Sequence, residues 1–472
     1  MLEVPCILHF VGNLRPSVDP LPDPEEPIRT ELFSVERLEQ HAESLAAAQR
    51  VTADPRRGWR VLPRLVDNGR VLLASYRAVA RAIREERAIT AAAEWLVDNF
   101  HIVDDQVRQI REDLPHRFYR ELPKLAAGFL EGYPRVFGVA WAFVAHTDSR
   151  FEPEALRRFV RAYQRVQPLT IGELWAVPIT LRVLLVENLR RLAERIVRDR
   201  TARQEADVLA DRLLGLGGRT PADATAALAR VEKERLPTAF AVQLVQRLRE
   251  QDPDLVPALR WLEERFAARG TTTEETVRVE HQRQGAMNVT VRNIITSMRL
   301  MSSFDWREFF ESVSRVDEVL RADTDFAALD FPTRDRYRHA IEDLARGSRC
   351  SEVEVAGRVV ARTQQAGAAG DPEEHERWRN PGFHLIAEGR AALERELGFR
   401  VRPGRWLART YLAAPMPAYV GTVALLSGLV LAPPLILTVH VGVGPLGLLL
   451  FALLALVPAI DLAIALTNLG VV

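Results

Sequence analysis

The sequence predicts an all-α protein, an irregular multi-helix cytoplasmic array followed by a two-helix transmembrane hairpin. Three observations predict it. Apolar residues recur at three- to four-residue spacing through most of the chain. Helix-capping signatures punctuate that pattern, and two long apolar runs close the chain. Alternating strand-like runs are scarce, and no fixed repeat period occurs, so an irregular array fits better than a solenoid.

At 472 residues the chain exceeds the size at which one core usually splits, so at least two helical subdomains are expected before the membrane segment. Hydrophobic content of 47% with 27% charge argues against disorder on a large scale. The 63 basic residues balance 63 acidic ones, which weighs against a general nucleic-acid partner. Cys6 and Cys350 stand far apart and lack a CxxC partner. They form neither a disulfide framework nor a zinc site, which suits a reducing compartment. The opening MLEVPCILHFVGN has no basic leader and no small-residue cleavage site, so it does not read as a secretory signal.

Residues 1–30 are expected to form an extended lead-in, because 14–30 are rich in Pro and Asp. A first helical subdomain is placed at 31–218. Ser34 caps a helix through Glu36, Leu38 and Ala42 to about Val51, the run at 57–60 breaks it, and Asn68-Gly69 reads as a turn. Leu72, Tyr76, Val79 and Ile83 make an amphipathic stripe. One further helix carries Trp95, Phe100, Ile102, Val107 and Ile110 and ends before Pro115. Pro and Gly break residues 115–135 into a packed connection. A long helical stretch from about Pro153 to Leu214 is expected to break near Pro168 and kink at Pro178. The glycines after Leu214 mark a boundary, and a second helical subdomain is placed at 219–410. There Thr272 with Glu275, Asp305 with Glu308 and Ser351 with Glu354 have capping-box spacing. Gly347 and Gly367 sit where helices end.

After Arg409 the composition changes abruptly, and 411–472 reads as a membrane anchor. Pro417–Val439 and Gly444–Leu466 are each long enough to span a bilayer core of about 30 Å. Pro433-Pro434 would kink the first span, which membrane helices tolerate. The connection His440–Val443 has no Lys or Arg, whereas Arg400, Arg402, Arg405 and Arg409 precede the first span. The positive-inside rule then puts residues 1–410 and the C-terminus in the cytoplasm and the hairpin loop outside. Asp461 lies inside the second span, facing a partner helix or cavity, or snorkelling to the nearby membrane edge.

Each candidate for chemistry has a structural reading beside it. Glu94, Asp98 and His101 fall on one face of a predicted helix and could bind a divalent metal or move a proton. No second helix carries a matching motif, so a solvated or paired face is favoured. Asp323-Thr324-Asp325 and Asp252-Pro253-Asp254 match the D-x-D pattern that holds a cation against sugar-nucleotide phosphates. That chemistry needs a preceding strand, and none is present, so capping or turn roles are favoured. His146-Thr147-Asp148 and Glu173-Leu174-Trp175 could touch a sugar, while Trp141, Phe143 and Trp175 suit a helical core. No P-loop, dinucleotide fingerprint, GxSxG or HExxH occurs. No catalytic, cofactor-binding or metal residue is therefore assigned.

Several stretches in order resemble one family, the bacterial cyclic β-1,2-glucan synthases. They are EPIRTELFSVERLEQHAESL (26–45), EWLVDNFHIVDDQ (94–106), DLPHRFYRELPKL (113–125) and the run beginning AHTDSRFEPEALRRF (145–195). NVTVRNIITSMRLMSSFDW (from 288) and FPTRDRYRHAIEDLAR (331–346) continue the series. The resemblance implies a parent inner-membrane enzyme of Gram-negative bacteria that uses UDP-glucose, with a divalent cation, to build and close a β-1,2-glucan. It covers the family's N-terminal region and first spans, ahead of the transferase and phosphorylase-like modules. No catalytic residue carries over, and TNLGVV at the close reads as a truncation or frameshift. The expected partners are the lipid bilayer, the downstream glycosyltransferase module and glucan. The expected role is a non-catalytic scaffold and anchor. The alternative is a stand-alone membrane-anchored interaction or regulatory protein derived from that family.

Overall fold

A computed structural model describes residues 26–52, 61–113, 118–214, 237–249, 256–365, 377–400 and 414–471. The described residues are almost wholly helical, and they group into two compact units, 1–319 and 320–472. The only ladder among them pairs Val51–Thr52 antiparallel with Lys124–Leu125.

The first unit begins with α1 (Val35–Ala48), where the Ser34 hydroxyl accepts a hydrogen bond from the Arg37 amide. That cap satisfies a donor the first turn would otherwise leave open. Leu38, Ala42 and Ala46 recur every four residues and are buried. They face the later helix Pro153–Val166, to which Arg158–Glu39 and Arg165–Glu43 add ion pairs.

Helix α2 (Val61–Arg84) corrects one expectation: it runs straight through Asn68-Gly69, with no turn there. Asn68 is buried and donates to Glu187, so a tertiary contact replaces the local turn signal. Gly69 admits the neighbouring helix, since an added Cβ would lie 3.3 Å from Val107 Cγ1. The single helix expected across 94–114 is two, α3 (Ala91–Asp98) and α4 (Phe100–Asp113). Asn99 parts them, its side-chain amide donating to the Trp95 carbonyl. The short helix α5 (Phe118–Glu121) and the strand Lys124–Leu125 then lead to α6 (Arg135–His146).

Helix α7 (Pro153–Val166) ends before Pro168, and α8 (Ile171–Leu213) follows as a continuous 43-residue helix through Pro178. Thr170 and Glu173 cap α8 with a complete capping box. At 1.5 Å per residue α8 is roughly 65 Å long, and α2, α4, α6 and the later helices Thr238–Leu248 and Thr273–Ser303 pack along it. Ala202, Ala206, Leu209 and Leu213 form a core with Phe240, Leu244, Leu248, Leu262 and Phe266 of α9 (Thr238–Leu248) and α10 (Val256–Ala268). Residues 215–236, where the sequence marks a boundary, lie outside the described residues, as do Asp252-Pro253-Asp254 and Gly367. Helix α11 (Thr273–Ser303) and α12 (Trp306–Val313) start at Thr272 and Asp305, whose side chains accept the expected amide bonds.

Helix α13 (Arg315–Asp323) carries the division between the units. The second unit opens with a 3-10 turn, Asp325–Ala328, then α14 (Phe331–Gly347) and α15 (Glu352–Gln365). Ser351 and Glu354 complete the reciprocal box predicted for α15. The short helices α16 (Pro381–Ile386) and α17 (Arg390–Glu396), the latter through Leu393, close over Ile341, Leu344, Val355 and Val359. Gly347 leaves room for the Phe399 ring, which an added Cβ would strike.

The chain's last two helices are α18 (Pro415–His440) and α19 (Pro445–Val471). Their apolar stretches have mean hydropathies of 2.1 and 2.6 and are long enough to cross a membrane. Gly442, with φ +79°, takes the left-handed turn between them that glycine adopts without strain. Ala459, Ala463 and Thr467 on α19 and Ser427 on α18 are the buried residues of this pair, small side chains that permit close approach.

Candidate functional site

Helix α8 is apolar on most of its buried surface, yet Glu173, Thr180 and Glu187 are also fully buried on it. Seven-residue spacing returns nearly to the same direction on a helix, so the three form one polar stripe. Each position meets a partner distant in sequence.

At the N-terminal end Arg135, the first residue of α6, donates from Nε to Glu173 Oε1 at 2.8 Å and from Nη2 to Glu173 Oε2. Its Nη2 also reaches the Pro168 carbonyl at 3.0 Å. One turn pair further on, the Tyr119 and Thr180 hydroxyls share a hydrogen bond of 2.7 Å, and burial pushes the Tyr119 phenol well above its usual range. Lys124 donates to the Tyr119 carbonyl. Burial pushes its ammonium down to about 8, opposed by the charge of Glu173.

Glu187 is the most heavily bonded residue of the stripe. Arg64 on α2 clasps it from Nε at 3.0 Å and Nη2 at 2.7 Å. Asn68 Nδ2 donates at 2.8 Å and Arg191 Nε at 3.0 Å. Burial alone would raise the carboxyl, but the Arg64 hydrogen bonds and charge, then the charge of Arg191 and the Asn68 bond, hold it down at about 2. Arg64 is correspondingly raised; Arg191, pressed by burial, is lowered.

The neighbouring Asn188 clamps the extended segment that precedes α1. It accepts from the Ile28 amide at 2.7 Å and donates to the Ile28 carbonyl at 3.2 Å and to Ser149 Oγ at 2.8 Å. Asp148 and Ser149 take left-handed backbone, φ 50° and 63°, unusual away from glycine. Their surroundings fix them: Thr290 donates to Asp148 Oδ1 at 2.6 Å, Arg29 lies 3.3 Å away, and the Ser297 hydroxyl donates to the Ser149 carbonyl at 2.8 Å. Burial raises the Asp148 carboxyl, with Thr290, Arg29 and Asn293 acting against it.

The residues singled out from sequence divide accordingly. Asp148 and Glu173 join this network, on opposite ends of its reach, and His146 stacks on Phe33 at 3.9 Å. Trp175 stacks on Phe310 at 4.4 Å, Phe143 packs on Phe159, and Trp141 lies under Arg191 with its edge to Phe129. Glu94 and Asp98 lie on α3 and His101 on α4. Thr324 caps the 3-10 turn, its hydroxyl accepting from the Phe326 amide, so Asp323 and Asp325 flank a cap. Among the described residues no group of three or more His, Cys, Asp and Glu could hold a metal ion. Arg64, Arg135, Glu187 and Asn188 were not anticipated. Their signal was a run of polar residues at seven-residue register, Glu173, Thr180 and Glu187, inside an apolar helix face.

What the polar stripe does chemically is hold helices. Its carboxylates are each held by arginine, and its bonds, with those of Asn188, tie α8 to the lead-in, α2, α5 and α6. Fold, stripe and apolar helix pair together describe an all-α protein with a braced helical region and two helices long and apolar enough to cross a membrane. No protein-family model matches the chain. Over 451 residues, 94% of its length, it is 36% identical to the cyclic beta-(1,2)-glucan synthase NdvB of Rhizobium meliloti (strain 1021). The chain is thus a relative of the cyclic β-1,2-glucan synthases, corresponding to their N-terminal region, and it spans 16% of the length of that synthase.

Proposed function

We propose that this chain is the non-catalytic N-terminal scaffold and membrane anchor of a cyclic β-1,2-glucan synthase. The observation that carries the reading is the match along 94% of the chain to a synthase six times longer or thereabouts, joined to a buried polar network spent on bracing helices. Bidentate Arg–carboxylate pairs fix orientation as well as position, which is what a platform for a neighbouring module needs. The glycosyltransferase module, its UDP-glucose and any cation then belong to the rest of that enzyme, and glucan contacts this region as a passing product. Arg400, Arg402, Arg405 and Arg409 ahead of α18, with no Lys or Arg between the spans, support a cytoplasmic helical region. Such a placement would put the scaffold beside cytosolic UDP-glucose.

The test is deletion of the segment equivalent to residues 26–400 from a full-length synthase, with membrane insertion verified. Loss of activity or of ring closure is expected. Normal yield and cyclisation would overturn the scaffold role.

A further inference from the structure

Resting on the membrane reading of α18 and α19, we propose that Asp461 docks this helix pair against a third membrane helix bearing a basic side chain at the same depth. Asp461 is exposed on the pair and makes no hydrogen bond or ion pair among the described residues. It lies about ten residues before the end of α19, or roughly 15 Å at 1.5 Å per residue. Tyr419 donates to Asn468 at 3.3 Å and marks the polar end of the pair, about two helical turns beyond the carboxylate. An aspartate side chain is too short to snorkel that distance; the long stems of Lys and Arg are what make snorkelling work.

Helix α18 does not face it. The residues of α19 buried by α18 are Ala459, Ala463 and Thr467, spaced by four. Asp461 stands two residues off that line, about 200° around the helix axis, on the opposite face. Leu454 and Val457, two turns and one turn earlier on its own face, are 76% and 64% exposed. An ionisable group at such depth is costly in hydrocarbon and pairs with another polar group or lines a cavity. Charge complementarity selects a basic partner, and the matched synthase has ample chain to supply another helix, since this region spans 16% of it.

The experiment places a photocrosslinking amino acid at Val457 in the full chain in its native membranes, and identifies the crosslinked peptide by mass. The expected product is a membrane-spanning segment with Arg, Lys or His within about one turn of the crosslink. Its yield should fall at least about tenfold in Asp461→Leu and be retained in Asp461→Glu. Crosslinks to lipid alone, to a second copy of this chain, or to a helix lacking a basic residue would overturn the proposal. Yield unchanged in Asp461→Leu would overturn it too. Alkaline carbonate extraction separates the two levels of failure, because release of the wild-type chain would refute the membrane reading itself.

Discussion

Replacing Glu187 by Gln tests the brace at its centre. The change keeps the side-chain volume and removes one charge from between Arg64 and Arg191, whose side chains are 6% and 2% exposed. Two buried guanidinium groups then lose their counter-charge, a situation that costs about 3–5 kcal/mol. The depressed carboxyl points the same way: held at about 2 against the usual 4.5, it corresponds to about 3 kcal/mol. The assay is thermal unfolding of the full chain in detergent, followed by circular dichroism, where Tm should fall by about 5 °C. Glu31→Gln is the control, since Glu31 and Arg37 are 65% and 55% exposed and such pairs contribute about 0–1 kcal/mol. The acid side gives a second readout. Because the folded pKa is depressed, the stabilisation from Glu187 is complete above pH 4.5 and lost as pH falls through about 2. Glu187→Gln should flatten that part of the profile. Equal melting of the two variants would refute the claim that the stripe braces the helices.

Three further outcomes are expected. His41 is lowered from its ordinary value by burial and then by His146, so its stabilising contribution holds above pH 6.5 and is lost as pH falls through the lowered value; amide protection factors at residues 30–41 should fall on acidification, and more weakly in His41→Phe. Lys124 is also depressed, to about 8, so its charged form opposes folding below that pH; Lys124→Met should melt at or above the wild-type temperature at pH 7, and a clear fall would contradict this. Gly347→Ala should cost about 1–3 kcal/mol by driving a methyl into Phe399, whereas Gly357→Ala, with open space around it, should gain about 0.5–1 kcal/mol, both read from melting curves.

How much of this was legible in the sequence follows from the range of the forces involved. Ser34, Thr272, Asp305 and Ser351 announced helix starts because a cap is made within three residues. The apolar runs announced α18 and α19 because length and composition alone set that property. Asn68-Gly69 misled because its turn propensity is local while its actual bond reaches Glu187, 119 residues away. The break at Asn99 was hidden by continuous helical patterning on both sides. Glu173 was noticed for its neighbours Leu174 and Trp175, yet its role depends on Arg135, 38 residues earlier. Asp148 stood out as part of a polar triplet, but nothing local says that Thr290 and Arg29 converge on it. Pairings of that kind are set by tertiary packing and leave only a faint mark, a charged residue in register on an apolar face.

The central claim, that this chain anchors and braces a synthase without making bonds itself, is tested most directly by supplying it with UDP-[14C]glucose. Membranes from a host that makes no β-1,2-glucan would carry the chain alone or together with the remainder of the synthase. The account predicts no labelled glucan from the chain alone and labelled glucan once the remainder is present. Labelled glucan attached to the chain expressed alone would contradict it.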